Sequence, residues 1–312
     1  MHLRPDHTVR DLPTLHSFIR AHPLGVLTTS LPSENFPTLQ CSHIPWVLDV
    51  ETETGTETCE TPEAFNGNDS TTASSLGILR GHIARANPQT AAMIEAVTDA
   101  RPANTSTGES NPNPNLVGSA DQTQAQHQNR EYVLPGEVLI IFASPVDHYI
   151  SPHFYTAAKS AAAAASAGKA KIAPTWNYAA VQVYGRMRVY YDSKDESTGM
   201  FLQRQLSDLA VLGEEGVMGF SNANAGANGG GGESEGGGQS PWKLSDAPEN
   251  YITLLKKNIV GIQVEITRVE GRFKVSQEKG VGDRGGVVDG LEKIGGGRAR
   301  RMAEFVRKGR VV

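Results

Sequence analysis

The segment KIAPTWNYAAVQVYGRMRVYY, residues 171–191, constrains the fold more than any other part of this sequence. From residue 180 onward, apolar and polar side chains alternate with the period of two that is typical of a half-buried β-strand. Gly185 interrupts the alternation, and a glycine inside a strand predicts a bulge, a barrel corner or the close approach of another backbone. The segment therefore predicts a long strand against which the rest of the chain packs.

A polar and aromatic cluster opens this strand with Thr175, Trp176, Asn177 and Tyr178. Pro174 precedes the cluster and favours extended backbone at the residue before itself, so the cluster lies at the mouth of the predicted strand. Barrels bind ligands at such mouths. Two interpretations stay open from this stretch alone: a cluster that contacts a ligand, or an ordinary pair of core aromatics formed by Trp176 and Tyr178.

Polar or low-complexity blocks interrupt the apolar pattern at about residues 51–75, 99–130, 157–170 and 221–240. They account for the low hydrophobic content of the chain, which is 38% of its 312 residues. The remaining part, roughly 220 residues, has ordinary apolar density and is long enough for a sizeable core. We predict a single domain, residues 1–297, that carries these blocks as insertions and is followed by a basic C-terminal tail, residues 298–312.

Composition and spacing exclude several classes of protein. The net charge of −5 argues against an overall basic surface for nucleic acid. The longest apolar run, residues 138–143, is too short to cross a bilayer, and the first residues lack the apolar core of a signal peptide. The two cysteines form no metal motif, and the spacing of His148 and His153 matches none either. We expect a cytoplasmic protein, with the nucleus as the alternative, that binds no metal and no membrane.

Local patterns predict further elements. Asp11 precedes an amphipathic run and is a predicted helix N-cap, and Glu249 stands at the capping-box position of a helix that opens at Asp246. Residues 261–277 alternate on both sides of Gly271. This alternation predicts an antiparallel hairpin that turns around Gly271.

The C-terminal tail carries six cationic residues against Glu304. They are Arg298, Arg300, Arg301, Arg307, Lys308 and Arg310. Such a run is typical of a targeting signal or a nucleic-acid patch. The simpler interpretation, which we adopt, is a frayed and solvated terminus.

A strand that passes directly into a helix forms a second candidate site. The sequence LGILRGHIARANP, residues 76–88, ends in a predicted N-cap asparagine followed by a proline at the first helical position. The cationic and amide donors at this junction are Arg80, His82, Arg85 and Asn87. The junction suits a phosphate group because backbone N–H groups and the helix dipole add to the side-chain charge. Exposed arginines without a ligand are the alternative interpretation.

Motifs along the whole chain resemble the PaiB-type family, named as FMN-binding negative transcriptional regulators. They are IRAHPLGVL at 19–27, SHIPW at 42–46, LRGHIARANP at 79–88, YISPHFY at 149–155, PTWNY at 174–178, Gly185-Arg186, Asp246-Ala-Pro with Tyr251-Ile, Val260-Gly-Ile, and KVSQ at 274–277. The four polar blocks fall between these motifs and depart from the compact family pattern. They look like eukaryotic expansions.

The resemblance implies an α+β, mainly β fold: an FMN-binding split β-barrel with peripheral helices and long low-complexity insertions. It implies a homodimer with FMN near the subunit interface. Together with the donor-rich junction, it implies an FMN phosphate near Arg80, His82, Arg85 and Asn87 and a flavin ring near Trp176. Further cofactor contacts are expected from Ser151, Tyr155, Thr175 and Asn177.

Three hypotheses for function follow. The first is an FMN-binding protein with weak oxidoreductase activity, in which flavin carries the chemistry and the catalytic residues are unknown. The second is a negative transcriptional regulator that uses flavin as a sensor or has lost it. The third is a haem-binding or haem-degrading protein with His82 or His148 as axial ligand. Direct sequence-specific contact with nucleic acid is not expected, because the sequence has no helix-turn-helix, zinc finger or basic face.

Overall fold

The computed structural model describes residues 4–50, 76–99, 132–156, 173–221 and 240–311. The four predicted insertions lie almost entirely outside the described residues and stay a prediction. In chain order the strands are β1 (Thr8–Val9), β2 (Leu24–Ser30), β3 (Leu39–Pro45), β4 (Val47–Asp49), β5 (Ile78–Ala84), β6 (Val133–Ala143), β7 (His148–Ile150), β8 (Thr175–Tyr190) and β9 (Ile259–Lys274). The α-helices are α1 (Leu12–Ala21), α2 (Pro88–Asp99), α3 (Glu196–Val211), α4 (Glu249–Lys257), α5 (Val281–Ile294) and α6 (Gly296–Lys308).

The sheet is antiparallel at each of its described pairings and follows the order β3-β2-β6-β8-β9-β5-β4, with β1 added to β9 and β7 added to β8. The helices are peripheral to it. The mainly β prediction with peripheral helices is therefore confirmed. The hydrogen-bonded path is open, and its two terminal strands, β3 and β4, follow each other in the chain on either side of the buried Trp46.

The central strand β8 has the predicted alternation. Its odd-numbered side chains from Val181 to Val189 are buried, and its even-numbered side chains face outward. Gly185 lies where the register with β9 shifts, and a Cβ there would lie 2.2 Å from the carbonyl oxygen of Glu265. Both the predicted bulge and the predicted close backbone approach are confirmed, since no larger residue fits at that distance.

The predicted hairpin around Gly271 is wrong, because residues 259–274 form one continuous strand, β9. Gly271 serves a close packing contact instead of a turn: a Cβ there would lie 2.3 Å from Cδ2 of Leu15 on helix α1. Val9 of strand β1 pairs with Gly271 on the same edge. Gly271 within the alternating sequence therefore indicated close contact with residues that are distant in sequence, and not a turn.

Helix starts and ends were predicted with mixed success. Asp11 caps α1 by accepting a 3.0 Å hydrogen bond from the backbone N–H of Thr14, as predicted. The predicted capping box at Glu249 is wrong: α4 begins at Glu249 itself, and its N-cap, Pro248, has no side chain that accepts a hydrogen bond. The interpretation of the tail as a frayed terminus is also wrong, because Gly296–Lys308 is helix α6.

Helix α6 is amphipathic and packs into the core. Its buried side chains recur at helical spacing and are Ala299, Met302, Ala303, Phe305 and Val306. Helices α5 and α6 form a hairpin that packs against β7 and the short 3-10 turn Pro152–Phe154. The apolar face of α6 outweighed its charge in deciding its structure, since burial of apolar area dominates folding.

Candidate functional site

The predicted site residues fall into two separate groups. The β5 group lies on strand β5 and at its junction with α2, and consists of Arg80, His82, Arg85 and Asn87. The β8 group lies at the start of β8 and on the segment that pairs with it, and consists of Ser151, Tyr155, Thr175, Trp176 and Asn177. No described contact joins the two groups.

The guanidinium of Arg80 is closed off by carboxylates. Only 3% of Arg80 is exposed. Its Nε and Nη2 donate to the two carboxylate oxygens of Asp49 at 2.6 and 2.9 Å, and Nη2 also donates to Asp208 on α3 at 2.6 Å. Burial works to lower the pKa of Arg80, but the hydrogen bonds and charges of these two carboxylates outweigh burial and raise it. A phosphate at this position would have to displace both carboxylates.

Arg85 and Asn87 also donate hydrogen bonds to acceptors within the protein. Arg85 donates to the backbone carbonyl oxygens of Lys257 at 3.0 Å and Tyr191 at 2.7 Å, and so ties the end of β5 to neighbouring segments. Asn87 caps helix α2 as predicted: its Oδ1 accepts from the backbone N–H of Gln89 at 2.9 Å. Its side-chain amide donates to the hydroxyl of Ser42 on β3.

His82 is the member of the β5 group with an unused polar atom. Its Nδ1 is buried and has no described hydrogen-bond partner. Burial lowers its pKa, so the imidazole is neutral at physiological pH. A neutral ring offers a phosphate one hydrogen bond but no charge.

The β8 group is assembled by strand pairing. Strand β7 pairs with the first residues of β8, which sets Tyr149 opposite Trp176 and Ile150 opposite Thr175. Ser151 follows directly and accepts from the backbone N–H of His153, which starts the 3-10 turn that carries Tyr155. The structure therefore brings all five predicted residues of this group to one end of the sheet.

A lysine that the site prediction did not include lies within the β8 group. Lys274, the last residue of β9, pairs with Tyr178 and donates from Nζ to the hydroxyl of Thr175. Burial lowers the pKa of Lys274, the charge of Glu278 partly opposes this, and nearby cations lower it further. These cations are Arg4, Arg272 and Lys279. The KVSQ motif contained the signal for this residue, but its side chain could not be assigned to the site from sequence alone.

The buried floor of the β8 group holds Asn177 and Ser276. Asn177 is fully buried and donates from Nδ2 to the hydroxyl of Ser276 at 2.9 Å. Ser276 is itself buried and has a positive φ of 61°, a backbone conformation that costs a non-glycine residue energy. Their mutual hydrogen bonds hold the turn after β9 against the start of β8.

Tyr155 adds an unused donor to the same place. The residue is 1% exposed, and its hydroxyl is buried with no described hydrogen-bond partner. Burial, followed by the charges of Glu278 and Asp283, raises its pKa, so the hydroxyl stays protonated. A buried and unpaired hydroxyl is uncommon in folded proteins, and its usual partner is an ordered water or a ligand group.

Aromatic and cationic side chains share the outer face of this end of the sheet. Because side chains alternate along a strand, Trp176 and Tyr178 on β8 face the same side as Arg272 and Lys274 on β9. Trp176 is 50% exposed, and Tyr149, 44% exposed, contacts its ring edge at a centroid distance of 6.1 Å. We call these five side chains the β8 surface.

The two groups are far apart within one chain. His82 pairs with Gly261 near the start of β9, and Tyr178 pairs with Lys274 at its end. At about 3.3 Å per residue, these positions are separated by about 40 Å along the strand. One FMN molecule therefore cannot contact both groups of the same chain, as the predicted phosphate and ring positions would require.

The described cavities lie away from both groups. One of about 600 Å³ is lined by residues 193–204 of α3 and its preceding turn together with Lys256. Another of about 450 Å³ is lined by residues 133–137, Arg186 and Thr267. Both are open towards solvent, and neither contains a residue of either group. The β8 surface is thus an exposed face and not an enclosed pocket.

The β8 group offers the donor set that FMN needs. Lys274 and its neighbouring cations provide positive charge for a phosphate, and Thr175 and Tyr155 provide hydroxyls. The exposed ring of Trp176 provides a stacking partner for an isoalloxazine. The buried hydroxyl of Tyr155, which lacks a partner, is the observation that favours this fit. Among the described residues, no cluster of three or more His, Cys, Asp and Glu side chains could hold a metal ion.

Comparison with protein families gives a match over most of the chain. A family model described as "Putative FMN-binding domain" matches residues 1–268. An uncharacterized protein of Aspergillus fumigatus is 44% identical over 295 residues, which cover 95% of this chain and 92% of that protein. An uncharacterized protein of Emericella nidulans is 39% identical over 308 residues, with coverage of 99% and 97%. The predicted cofactor, FMN, is confirmed by the family match.

Comparison with solved structures gives distant matches. The flavocytochrome Anf3 of Azotobacter vinelandii is 10% identical, with a TM-score of 0.34 and coverage of 88% of this chain and 72% of that chain. The conserved hypothetical protein Rv2991 of Mycobacterium tuberculosis is 7% identical, with a TM-score of 0.36 and coverage of 88% and 90%. In the part of the chain that the structure describes, no helix is both long and apolar enough to span a membrane.

Proposed function

This chain belongs to the FMN-binding domain family, and we propose that it binds FMN on the β8 surface as a split-barrel flavoprotein of the PaiB type. The observation that carries this proposal is the unpaired buried hydroxyl of Tyr155, whose ring centroid lies 5.1 Å from the ammonium of Lys279. The β8 group and the β8 surface together bring charge, hydroxyls and exposed aromatics to one end of the sheet. The β5 group has already used its arginines on protein acceptors.

In this arrangement Lys274 and Thr175 hold the phosphate, and Trp176 packs against the flavin ring. Lys274 is half-buried, so its charge is less screened by water than that of a fully exposed lysine. Tyr155 donates its hydroxyl to the cofactor, and Asn177 with Ser276 keeps the turn after β9 in position. When bound, FMN supplies the capacity to accept and release electrons.

We further propose that a homodimer completes the site. The β8 surface is open, and its aromatic side chains Tyr149 and Trp176 are about half exposed. A flavin on such a face stays accessible to water unless a second surface covers it, and a two-fold interface supplies one. A second copy could also bring its own β5 group towards the ring, which is the arrangement that would reconcile both predicted groups with one FMN. Light scattering that finds a stable monomer with bound FMN would contradict this part.

We propose that the bound flavin gives this protein weak oxidoreductase activity. A flavin-linked transcriptional regulator is the second hypothesis, and direct contact with DNA is not part of it. The reason is that four cations of α6 pair with carboxylates: Arg298, Arg301, Arg307 and Lys308. In the haem alternative His82 or His148 is the axial ligand; both are half-buried, and Nδ1 of His148 already bonds to the backbone carbonyl of Tyr149 at 2.7 Å. An absorption spectrum of the purified protein separates flavin bands from a Soret band.

The location of the phosphate is tested by comparing FMN with riboflavin, which lacks the phosphate. Lys274→Met should weaken FMN binding by about tenfold or more, the size expected for one charge-assisted contact, and leave riboflavin binding unchanged. Arg85→Met and His82→Gln are the matched variants in the β5 group and should leave the FMN preference intact. Isothermal titration gives the affinities, and thermal melting verifies that each variant is folded.

The opposite pattern of FMN and riboflavin affinities would place the phosphate in the β5 group. If Arg85→Met or His82→Gln abolishes the preference for FMN over riboflavin while Lys274→Met retains it, the phosphate lies at the β5–α2 junction. If the wild-type protein binds neither flavin, the proposed function fails as a whole.

A further inference from the structure

The C-terminal helical hairpin, α5 and α6, lies beyond residue 268, where the family match ends. It nevertheless packs against the segment that carries Ser151 and Tyr155. The hairpin is thus an element of this chain that adjoins the proposed flavin site without being part of the matched region.

Helix α5 is anchored to the 3-10 turn and the residues after it. Asp283 accepts hydrogen bonds from both the backbone N–H and the hydroxyl of Thr156, at 2.8 and 2.7 Å. Gly290 lies flat against the ring of Phe154, where a Cβ would come within 2.3 Å of the ring. These contacts bind α5 to the residues on both sides of Tyr155.

Helix α6 reaches Trp176 through one carboxylate. Asp147, which precedes β7, accepts from the indole Nε1–H of Trp176 at 2.8 Å with its Oδ1. Its other oxygen, Oδ2, forms an ion pair and hydrogen bond with Arg298 at the start of α6. Both carboxylate oxygens are therefore engaged, which fixes the plane of the carboxylate and the direction in which it accepts from the indole.

We infer that Arg298 is a positioning residue for Trp176: through Asp147 it sets the orientation of the indole that packs against the flavin ring. Half of Trp176 is exposed, so core packing does not determine its rotamer. The hydrogen bond to Asp147 and the edge contact with Tyr149 are the described interactions of its ring. This inference rests on the proposed function for its effect on flavin, but its effect on Trp176 is independent of any ligand.

An exposed ion pair contributes little to stability, so the melting temperature is not the measurement that tests this inference. The indole N–H signals of a ¹⁵N-labelled protein are more direct, because the chain has three tryptophans and gives three such signals. Trp176→Phe assigns the signal of interest. In the flavin-free protein, Arg298→Met should shift this signal and increase its exchange with water by about threefold, as loss of one charge-assisted contact allows.

The matched control is Arg307→Met, which removes an arginine of similar exposure from the same helix. Arg307 pairs with Glu292 on α5 and contacts no described residue of the β8 surface. The Trp176 signal should be unchanged in this variant. Asp147→Asn should reproduce the effect of Arg298→Met, and the double variant should be no worse than Asp147→Asn alone, since both act through one contact.

Flavin titration completes the test. Arg298→Met should weaken FMN and riboflavin binding by the same factor, about threefold, because the ring and not the phosphate is affected. An unchanged Trp176 signal in Arg298→Met overturns the inference even if FMN binds. A changed signal in a protein that binds no flavin supports the positioning of Trp176 and instead removes the proposed function. Equal effects of Arg298→Met and Arg307→Met also overturn the inference.

Discussion

Arg80 on β5 and Lys274 on β9 are both cations carried by strands of the sheet, but the protein uses them in opposite ways. Arg80 is bound by the carboxylates of Asp49 and Asp208 and by the amide of Gln205, so its charge is neutralised within the fold. Lys274 donates to the hydroxyl of Thr175, and the charge of Glu278 compensates its own charge only in part, because further cations lie around it. Availability of the charge, and not the type of residue, distinguishes a structural cation from one that can bind an anion.

The same comparison extends to the acidic side chains. Two carboxylates converge on Arg80, whereas Glu278, the carboxylate nearest to Lys274, bonds to the buried His7 at 3.1 Å. Its charge is therefore shared with the N-terminal segment. The β5 group thus pairs its cationic charge within the protein, whereas the charge of the β8 group is available to a ligand.

The largest expected effect comes from removing a carboxylate that pairs with Arg80. Asp49→Asn removes its bidentate carboxylate partner and leaves a nearly fully buried guanidinium with Asp208 as its remaining carboxylate. Breaking a buried pair costs about 3–5 kcal/mol; because both carboxylates are partly exposed, we expect about 2–3 kcal/mol. Urea unfolding measures this loss. Glu292→Gln, at the exposed pair with Arg307, is the control and should cost below about 1 kcal/mol.

The next largest effect concerns Tyr155, the residue of the β8 group whose buried hydroxyl has no described partner. Tyr155→Phe removes a buried hydroxyl that has no described partner, so the free energy of unfolding of the flavin-free protein should stay the same or rise by up to about 1 kcal/mol. The same change should weaken FMN binding by up to about tenfold, which is the size expected for the loss of one hydrogen bond. Paired thermal melting and flavin titration measure both effects. A destabilised protein with unaltered FMN affinity would show that the hydroxyl has a structural role.

The smallest expected effect concerns pH and the neutral imidazole of the β5 group. Burial lowers the pKa of His82 below its ordinary value of 6.5, so below this pH the unfolded chain binds a proton that the folded chain excludes. The free energy of unfolding should therefore fall as pH decreases below about 6.5, by up to about 1 kcal/mol between pH 6.5 and 5.5 for this one residue.

Two other histidines act in the same direction, since burial also lowers the pKa values of His16 and His22. His82→Gln should consequently reduce the pH dependence without abolishing it. Urea unfolding at several pH values gives the slope for both proteins. Equal slopes would mean that His82 is protonated to the same extent in the folded and unfolded chains.

Local patterns in the sequence were sufficient for much of the fold. The alternation of β8, the bulge at Gly185 and the caps at Asp11 and Asn87 each depend on residues within a few positions, and each was predicted correctly. The strand β9 was not, because Gly271 is explained by Leu15, which is distant in sequence. Helix α6 was misjudged because its charge was weighed and the helical spacing of its apolar residues was not.

The candidate site was predictable only in part for the same physical reason. The cluster at the start of β8 could be recognised from its own residues, and pairing with β7 brings Ser151 and Tyr155 beside it. The state of Arg80 could not be recognised, because its partners Asp49 and Asp208 are 31 and 128 residues away along the chain. A count of donors in a motif does not reveal which of them have acceptors elsewhere in the fold.

The position of β9 has a consequence for synthesis of the protein. This strand pairs with β1, β5 and β8, yet it is the last strand in the described chain. Strand β5 must therefore wait for the ribosome to translate from residue 78 to residue 265 before its partner exists, which takes roughly 10–40 s at about 5–20 residues per second. During this interval, two strand edges that are later central to the sheet remain open to pairing with other chains. The time for which these two edges stay open is thus fixed by the length of chain between them and β9.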